Sequence, residues 1–345
     1  MTVRFGLLGA GRIGKVHAKA VTANPKAKLV AVADAMPAAA SDLAGQYGAE
    51  VRSIAAIEAA ADIDAVVICT PTDTHADLIE RFARAGKAIF CEKPIDLDVE
   101  RVKACLRVVD ETGATLMVGF NRRFDPHFQA VKQAIADGQI GTVEMVTIVS
   151  RDPGAPPVDY IKRSGGIFRD MTIHDFDMAR FLLGEEIDTV SAQASVLVDK
   201  AIGEAGDYDS ASVMLATASG KHATISNSRR ATYGYDQRIE VHGSTGAVAA
   251  ENQRPVSIEL ANASGYTRPP LHDFFMTRYT EAYAREISAF IDFAESKSPA
   301  SPSGTDGLIA LALAEAALKS VHEGRAVKVS EITGPLADKA VFQGR

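Results

Sequence analysis

Short apolar runs alternate with amphipathic segments through the first 118 residues, and this alternation restricts the fold more than any other feature of the sequence. Five runs have the length and β-branched content of buried strands: residues 3–9, 28–34, 63–70, 87–94 and 115–120. The segments between them have helical spacing, and several end at glycine. Strands that alternate with helices at this pitch predict an α/β fold with a parallel sheet covered on both faces.

The first run leads into the sequence GAGRIG at residues 9–14, which fits the pattern G-x-G-x-x-G. Asp34 ends the next strand, 20 residues after Gly14. The first two glycines let the chain turn and approach a pyrophosphate, and the following helix offers unpaired N–H groups to the anion. We therefore predict an N-terminal Rossmann domain with a doubly wound sheet. The predicted cofactor contacts here are Gly9, Gly11, Arg12, Ile13, Gly14 and Asp34.

The residue at the end of the second strand selects the cofactor. Asp34 can accept hydrogen bonds from both ribose hydroxyls, whereas its carboxylate repels a 2′-phosphate. Ala35 and Met36 supply no arginine that could hold one. The sequence therefore favours NAD over NADP. A glycine turn that binds no nucleotide is the alternative interpretation.

The sequence TPTDTH at residues 70–75 follows another buried strand, at the sheet edge where ligands bind in such folds. We predict cofactor contacts from Thr70, Pro71 and His75. Alternatively, Asp73 or Thr74 caps the next helix, and His75 is a surface histidine.

After residue 120 the strand-like segments become longer, alternate apolar with polar residues, and follow one another with few helices. They cover residues 141–151, 187–198, 209–220, 222–230 and 237–248. This pattern predicts a C-terminal α/β domain with a large, mostly antiparallel open sheet. Helices are predicted at about 167–183, 279–297 and 307–324. We expect two domains, an NAD-binding domain at 1–120 and a substrate-binding and oligomerisation domain at 121–345.

Composition excludes several classes of protein. The 345 residues carry a net charge of −7 and show no basic cluster, so a nucleic-acid partner is not expected. No apolar run approaches the roughly 18 residues of a membrane span. The N-terminal run is broken by glycine and has no cleavage site, so we expect a cytoplasmic protein. Three cysteines without metal-ligand spacing are expected to be reduced.

The sequence Cys91-Glu92-Lys93-Pro94 ends a predicted strand. Glu-Lys-Pro behind a Rossmann fingerprint resembles the Gfo/Idh/MocA oxidoreductase family, and the resemblance extends over the whole chain. Residues 150–184, SRDPGAPPVDYIKRSGGIFRDMTIHDFDMARFLLG, are similar to the inositol dehydrogenases of that family. The resemblance implies NAD-linked oxidation of one ring hydroxyl of a polyol. It also implies an open C-terminal sheet that packs against other subunits, and we expect a homotetramer.

The family motifs also imply roles for individual residues. Lys93 matches the lysine of the Glu-Lys-Pro motif, and Asp170 and His174 match the acid and histidine of the substrate-domain helix. Glu92 and Lys93 are further predicted cofactor contacts. The peptide before Pro94 is often cis in relatives, and the sequence permits this.

The residue types suit the chemistry of alcohol oxidation. A histidine titrates near neutral pH and can take the hydroxyl proton. Lys93 can stabilise charge on the oxygen. Asp170 and His174, at i and i+4, share a helix face, so Asp170 can orient the imidazole, raise its basicity or bind a substrate hydroxyl. Asp175 and Asp177 fall on other faces; we interpret Asp175 as structural and Asp177 as solvated.

No Cys/His cluster supplies a third ligand beside the Asp170–His174 pair, so no metal is expected. A polyol needs many hydrogen bonds. The predicted substrate contacts are Lys93, Asn121, Arg122, Asp152, Asp170, His174, Tyr233, Tyr235 and Tyr279. Alternatively, the arginine is a solvated surface residue and the tyrosines pack against the sheet.

We hypothesise that the chain oxidises one ring hydroxyl of an inositol, myo-inositol to a 2-keto-inosose. The alternatives are scyllo-inositol, a pyranose sugar (aldose), transfer between two sugars with a tightly held cofactor, and a non-catalytic NAD-binding sensor. The sequence does not separate the stereoisomers, because that choice depends on sub-ångström placement of the same side-chain types.

Overall fold

A computed structural model describes residues 2–296 and 298–334, and it divides them into two units. The first unit contains residues 2–124, 280–296 and 298–311, and the second contains residues 125–279 and 312–334. The sequence predicted a domain boundary at residue 120, which placed residues 280–311 in the C-terminal domain. The structure places these residues in the first unit. The assignment of functions to domains stays a prediction.

The first unit contains a six-stranded sheet in the order β3-β2-β1-β4-β5-β6. All five strand pairs are parallel. The predicted doubly wound sheet is confirmed, and its strand order reverses between β1 and β4, where ligands bind in such sheets. The strands are β1 (Val3–Leu8), β2 (Ala27–Ala33), β3 (Glu50–Val51), β4 (Ala65–Ile68), β5 (Ala88–Glu92) and β6 (Leu116–Gly119).

The strands of this sheet are apolar along their length because helices cover both faces. All four residues of β4 are fully buried, which explains why its sequence does not alternate. The helices are α1 (Arg12–Ala23), α2 (Pro37–Tyr47), α3 (Ile54–Ala59), α4 (His75–Arg84), α5 (Val99–Thr112), α11 (Thr280–Ser296) and the start of α12 (Gly304–Glu323). Two 3₁₀ turns cover Thr72–Thr74 and Asn121–Phe124.

Helix α11 completes the core of the first unit, although it is far from the other elements in sequence. The Phe290 ring lies 6.0 Å from the Phe5 ring and 5.7 Å from the Phe90 ring. Phe5, Phe90 and Phe290 are all fully buried. The helix predicted at 279–297 is observed from Thr280 to Ser296, and residue 297 lies outside the described residues.

The second unit contains a seven-stranded sheet in the order β12-β11-β7-β10-β9-β8-β15. Only the β7–β10 pair is parallel, so the predicted mostly antiparallel sheet is confirmed. The strands are β7 (Val143–Arg151), β8 (Ile187–Ser195), β9 (Ser210–Thr217), β10 (His222–Ser228), β11 (Asp236–Gly243), β12 (Gly246–Ala250) and β15 (Val327–Lys328), and a separate hairpin joins β13 (Leu260–Asn262) to β14 (Gly265–Thr267).

Strand β8 ends three residues earlier than the sequence predicted. The carboxylate of Asp209 accepts hydrogen bonds from the backbone N–H groups of Leu197, Val198 and Asp199 at 2.8–3.0 Å. These bonds draw the chain into a turn, and no alternation of side chains signals them. The prediction of a strand to residue 198 was therefore wrong.

Helix α8 (Ile173–Leu183) lies against β7 and β10, on one face of the second sheet. The helix predicted at 167–183 is present, but its first turn, Phe168–Thr172, is a π-helix. Asp177 is fully buried, so its interpretation as a solvated residue was wrong. The helix lies among packed elements, and eight of its eleven residues are buried. The other helices of this unit are α6 (Pro126–Ala136), α7 (Val158–Ser164), α9 (Lys200–Glu204), α10 (Phe275–Arg278) and α13 (Ser330–Thr333).

Within residues 2–296 and 298–334, no helix is long and apolar enough to cross a membrane. The three cysteines, Cys69, Cys91 and Cys105, are buried thiols, and burial raises the pKa of each.

Replacing Phe290 by alanine tests whether α11 stabilises the first unit. We expect Phe290→Ala to lower the free energy of unfolding by about 3–5 kcal/mol, because it leaves a cavity between two buried rings. Phe290→Leu, which keeps most of the apolar volume, should cost less. Urea unfolding followed by circular dichroism measures both. A loss below about 1 kcal/mol for the alanine variant would contradict the packing described.

Candidate active site

The turn between β1 and α1 closes only because two of its residues lack side chains. Gly9 has φ +97°, and a Cβ there would lie 2.5 Å from the carbonyl oxygen of Cys69 at the end of β4. A Cβ on Gly14 would lie 1.9 Å from the carbonyl oxygen of Gly9. Any substitution at either position forces backbone to move. These two glycines therefore hold the first turn of α1 against the end of β4.

Gly11 is glycine for a different reason. Its φ of −70° suits any residue, and a Cβ there would meet no atom within 4 Å. It is the N-cap of α1 and makes no side-chain hydrogen bond to the helix, whose first turn carries no acidic residue. The backbone N–H groups at this end of the helix, which begins with Arg12 and Ile13, therefore have no side-chain cap from Gly11, and the space beside Gly11 is open. This cradle fits a pyrophosphate.

Asp34 lies beside the glycine turn. Its Oδ2 accepts the backbone N–H of Ala10 at 2.6 Å, and its Oδ1 accepts that of Met36 at 2.7 Å. Each oxygen has a second lone pair, so both can still accept a ribose hydroxyl. The carboxylate is fixed where the sequence predicted a ribose contact. That contact stays a prediction, and the geometry fits it.

His75 is buried and joins two loops of the first unit. Its Nε2 lies 2.8 Å from the carbonyl oxygen of Thr70, and its Nδ1 lies 2.8 Å from that of Pro94. Burial lowers the pKa of His75, although both carbonyls favour the protonated ring. The interpretation as a surface histidine was wrong. The Thr70 hydroxyl bonds to that of Thr74 at 2.6 Å, and Pro71 is exposed.

Glu92 and Lys93 end β5 with different surroundings. The Nε2 of His17, on the buried face of α1, lies 2.6 Å from the Glu92 Oε1. This contact ties the helix of the glycine turn to the last residue of β5, directly before Lys93. Lys93 is half-buried, and the peptide that follows it, Lys93–Pro94, is cis.

Asn121 and Arg122 follow β6 in a 3₁₀ turn. They are 3% and 6% exposed, so Arg122 is not a solvated surface arginine. The neighbouring Arg123 forms an ion pair with Asp306 at 2.9 Å in the same unit. Contacts from Asn121 and Arg122 to a substrate stay predictions.

Asp170 lies within the π-helical turn that precedes α8, and His174 follows in the first turn of α8. Both are half-buried. Asp170 Oδ1 accepts a hydrogen bond from the Tyr160 hydroxyl at 2.9 Å. Its Oδ2 lies 3.5 Å from both terminal nitrogens of Arg229. π-Helical turns occur frequently at functional sites.

Asp175, on the same helix, has the structural role that the sequence suggested. It is fully buried, and its Oδ2 accepts a hydrogen bond from the Asn227 side chain at 2.8 Å. Asn227 in turn accepts from the Thr172 hydroxyl at 2.7 Å. This network anchors the start of α8 to strand β10, and so fixes the segment that holds Asp170 and His174.

The three tyrosines predicted to bind substrate lie in two different places. Tyr233 is half exposed, and its hydroxyl donates to Asp236 at 2.6 Å and lies 3.2 Å from Arg151. Tyr235 and Tyr279 are buried with their rings 6.0 Å apart. They belong to an aromatic cluster, as the packing alternative proposed.

Asp152 immediately follows β7, where its backbone N–H donates to the carbonyl of Ser228 at 2.9 Å. Its side chain is half-buried. Substrate contacts from Asp152 and the tyrosines stay predictions.

Sequence reasoning missed four residues that hold these groups in place: His17, Tyr160, Asp207 and Arg229. His17 gave one signal, since it is a histidine on the apolar face of an amphipathic helix. Arg229 stands next to Arg230 in the sequence, and this local context gives no sign that it is buried. Within residues 2–296 and 298–334, no group of three His, Cys, Asp or Glu side chains could hold a metal ion.

Comparison with known proteins places the chain in a family. Residues 3–120 match the oxidoreductase family with an NAD-binding Rossmann fold, and residues 128–249 match the GFO/IDH/MocA C-terminal domain. The chain belongs to the Gfo/Idh/MocA oxidoreductase family. The resemblance read from the Glu-Lys-Pro motif is therefore confirmed, and so is NAD as the cofactor that the family's Rossmann fold binds.

Individual members of the family match over nearly the whole chain. The inositol 2-dehydrogenase of Rhizobium meliloti is 79% identical, covering 96% of this chain and 100% of that protein. The myo-inositol 2-dehydrogenase of Thermotoga maritima is 44% identical, with the same coverage. The crystal structure of scyllo-inositol dehydrogenase from Lactobacillus casei, with bound NAD(H) and scyllo-inositol, has a TM-score of 0.89 at 30% identity and covers 96% of this chain and 100% of that chain.

Gly11 offers a test of the nucleotide cradle that does not disturb the fold. We expect Gly11→Ala to weaken NAD binding at least about tenfold, because the methyl group fills the space left for the pyrophosphate. Its melting temperature should not change, since the backbone conformation suits alanine. Isothermal titration calorimetry and thermal melting measure the two quantities.

Gly45→Ala is the matched control. Gly45 lies in α2, and a Cβ there also meets no atom within 4 Å. This variant should bind NAD normally and gain about 0.5–1 kcal/mol of stability. Unchanged NAD affinity in Gly11→Ala would contradict the cradle.

Proposed function

We propose that this protein is an NAD-dependent dehydrogenase that oxidises one ring hydroxyl of an inositol, myo-inositol to a 2-keto-inosose. The observation that carries the proposal is the 79% identity, over nearly the full length of both chains, to a protein named inositol 2-dehydrogenase. The glycine cradle, Lys93 and the Asp170–His174 segment supply the residue types that this reaction needs.

The reaction removes a proton from the hydroxyl oxygen and a hydride from the carbon that bears it. NAD, when bound, accepts the hydride. His174 takes the proton, since imidazole titrates near neutral pH. Lys93 stabilises the negative charge that develops on the oxygen. Asp170 orients the imidazole or binds a neighbouring hydroxyl, and its two carboxylate oxygens are already held by Tyr160 and Arg229.

We propose that the remaining ring hydroxyls are bound by several of the predicted substrate contacts: Asn121, Arg122, Asp152, Tyr233, Tyr235 and Tyr279. The side-chain nitrogen of Asn121 is buried without a hydrogen-bond partner among the described residues, which supports a role for Asn121, since a buried polar group is costly unless it is paired. Buried, well-placed polar groups also reject analogues that lack a matching hydroxyl. Tyr235 and Tyr279 act mainly by shaping the aromatic cluster.

The second candidate substrate is scyllo-inositol. The support for it is the Lactobacillus casei enzyme, which binds scyllo-inositol and shares 30% of its sequence with this chain. A pyranose sugar is the third candidate. A non-catalytic NAD-binding sensor is not favoured, because Lys93 and His174 are both present.

Two substitutions test the catalytic assignment. We expect His174→Ala and Lys93→Met each to lower kcat with the preferred inositol by about 10²- to 10⁴-fold, because each removes a group that handles the proton or the charge. NAD affinity should change far less. Initial rates of NADH formation with myo-, scyllo- and chiro-inositol and aldoses give kcat.

The exposed His322→Ala is the matched control and should retain wild-type turnover. Near wild-type turnover in His174→Ala would overturn the assignment. Substituting NADP for NAD in the same assay tests the cofactor preference expected from Asp34.

We further propose a homotetramer that forms through the open face of the second sheet. The side chains on this face are mainly small or uncharged near its centre. One cross-strand row contains Thr147, Thr224, Met214 and Ser191, which are paired in register across β7, β10, β9 and β8. Met214 is 54% exposed. An exposed, nearly neutral sheet face suits packing against a second copy of the same face.

Light scattering tests this arrangement. We expect the wild-type protein to have four times the chain mass, and Met214→Arg to reduce the mass by placing a charge at the interface. Val51→Arg, at an exposed apolar residue of β3, should keep the wild-type mass. A monomeric wild-type protein would contradict the proposal.

We also propose a cytoplasmic location. The three buried thiols support it, because reduced cysteines persist in a reducing compartment.

A further inference from the structure

A buried arginine separates two carboxylates in the second unit. Arg229 follows strand β10 and is only 1% exposed. Its Nη1 and Nη2 lie 3.5 Å from the Oδ2 of Asp170, and its Nη2 lies 3.6 Å from the Oδ2 of Asp207. The guanidinium is thus shared between the candidate active-site acid on one side and a second acid on the other.

Arg229 cannot act on a substrate directly, because its side chain is almost completely enclosed. A guanidinium keeps its charge under all ordinary conditions, and burying it is costly unless carboxylates pair with it. Its Nε is buried without a hydrogen-bond partner, so the two carboxylates supply its compensation. The fold therefore retains a buried cation between two carboxylates, and Asp170 is the more exposed of the two.

Asp207 anchors the opposite side of the arginine to the start of the active-site segment. Its Oδ1 accepts the backbone N–H of Ile167 at 2.9 Å. A Cβ on Gly166, which has φ +85°, would lie 2.7 Å from that oxygen. Burial raises the pKa of Asp207, and Arg229 opposes this effect. Asp207 therefore lies against both Gly166 and Arg229. It links the arginine to the backbone that directly precedes the π-helical turn.

Both oxygens of the Asp170 carboxylate therefore have a partner, and the two partners differ in burial and in charge. Tyr160, which bonds to Oδ1, is 45% exposed and sits on the short helix α7. Arg229, which lies beside Oδ2, is buried, and both of its terminal nitrogens face that one oxygen. The rigid, charged contact comes from the arginine.

We propose that Arg229 is a positioning residue for the dehydrogenase reaction: it fixes the orientation of the Asp170 carboxylate, which in turn orients the imidazole of His174. This inference rests on the proposed function. Within the buried triad Asp207–Arg229–Asp170, only the contact of Arg229 with Asp170 is assigned this positioning role, and the contact with Asp207 is structural. A purely structural triad would contribute only to stability.

The test compares four variants with the wild-type protein, of which the fourth is Arg229→Lys. Arg229→Met removes the cation and leaves two acids facing each other. Arg229→Met combined with Asp207→Asn restores the charge balance, while the asparagine oxygen can still accept the Ile167 N–H. Asp207→Asn alone keeps Arg229 on Asp170. Each variant is assayed for kcat and KM with the preferred inositol, for NAD affinity, and for melting temperature.

We expect Asp207→Asn to keep kcat within about threefold of wild type, because the contact with Asp170 is intact. Arg229→Met should lose stability and about 10- to 100-fold in kcat. The double variant should recover much of the melting temperature but not kcat, with KM and NAD affinity changed by less than about threefold. Arg229→Lys, which keeps the charge without the fork, should recover part of kcat.

A double variant with wild-type kcat would overturn the proposal, and so would an Arg229→Met protein whose folded fraction turns over normally. Either result would show that the triad only stabilises the fold. A wild-type protein that forms no NADH with any inositol would instead overturn the proposed function, and with it this role of Arg229.

Discussion

The close approach of the β1–α1 turn to the end of β4 is the constraint on which the nucleotide unit depends. It leaves no room for a side chain at Gly9 or Gly14. It also places the N-terminus of α1 at the point where the strand order of the sheet reverses. Asp34, bonded to Ala10 in this turn, is then held at the same edge. The proposed cofactor site therefore depends mainly on backbone geometry, which the hydrogen bonds of the Asp34 side chain help to hold.

Buried pairs of ionisable side chains recur beside the proposed catalytic residues. Glu92, next to Lys93, pairs with the fully buried His17, and Asp170 pairs with Arg229. Such pairs contribute little net stability compared with apolar residues of the same size. They do restrict the side chains that they contain to one arrangement. These pairs lie directly beside Lys93 and within the Asp170–His174 segment. They therefore fix side-chain geometry where the proposed chemistry needs it, at some loss of stability.

The sequence alone predicted the elements whose signal is local. Short-range patterns of apolar runs and glycines predicted the parallel sheet, the glycine turn and the position of Asp34 beside that turn. The antiparallel sheet also followed, although the end of β8 did not, since the carboxylate of Asp209 bends the chain from 10 residues away.

The supports of the candidate site could not be predicted in the same way. Arg229 and Asp170 are 59 positions apart, and Glu92 and His17 are 75 positions apart. In both pairs, the residues adjacent in sequence to one member do not indicate which residue is its partner. The burial of Asp177 and His75 was missed for a related reason: solvation of a polar residue depends on which elements cover it, and a single-sequence pattern contains no such information.

The position of helix α11 has a consequence for how the chain is made. The Phe290 ring packs with Phe5 and Phe90, so the core of the nucleotide unit joins residues separated by up to 285 positions. A ribosome releases the chain from its N-terminus, and domains usually fold as they emerge. Here the sheet of the first unit is synthesised long before the helix that completes its core. The nucleotide unit therefore waits, with part of its apolar surface uncovered, until almost all of the second unit has been translated.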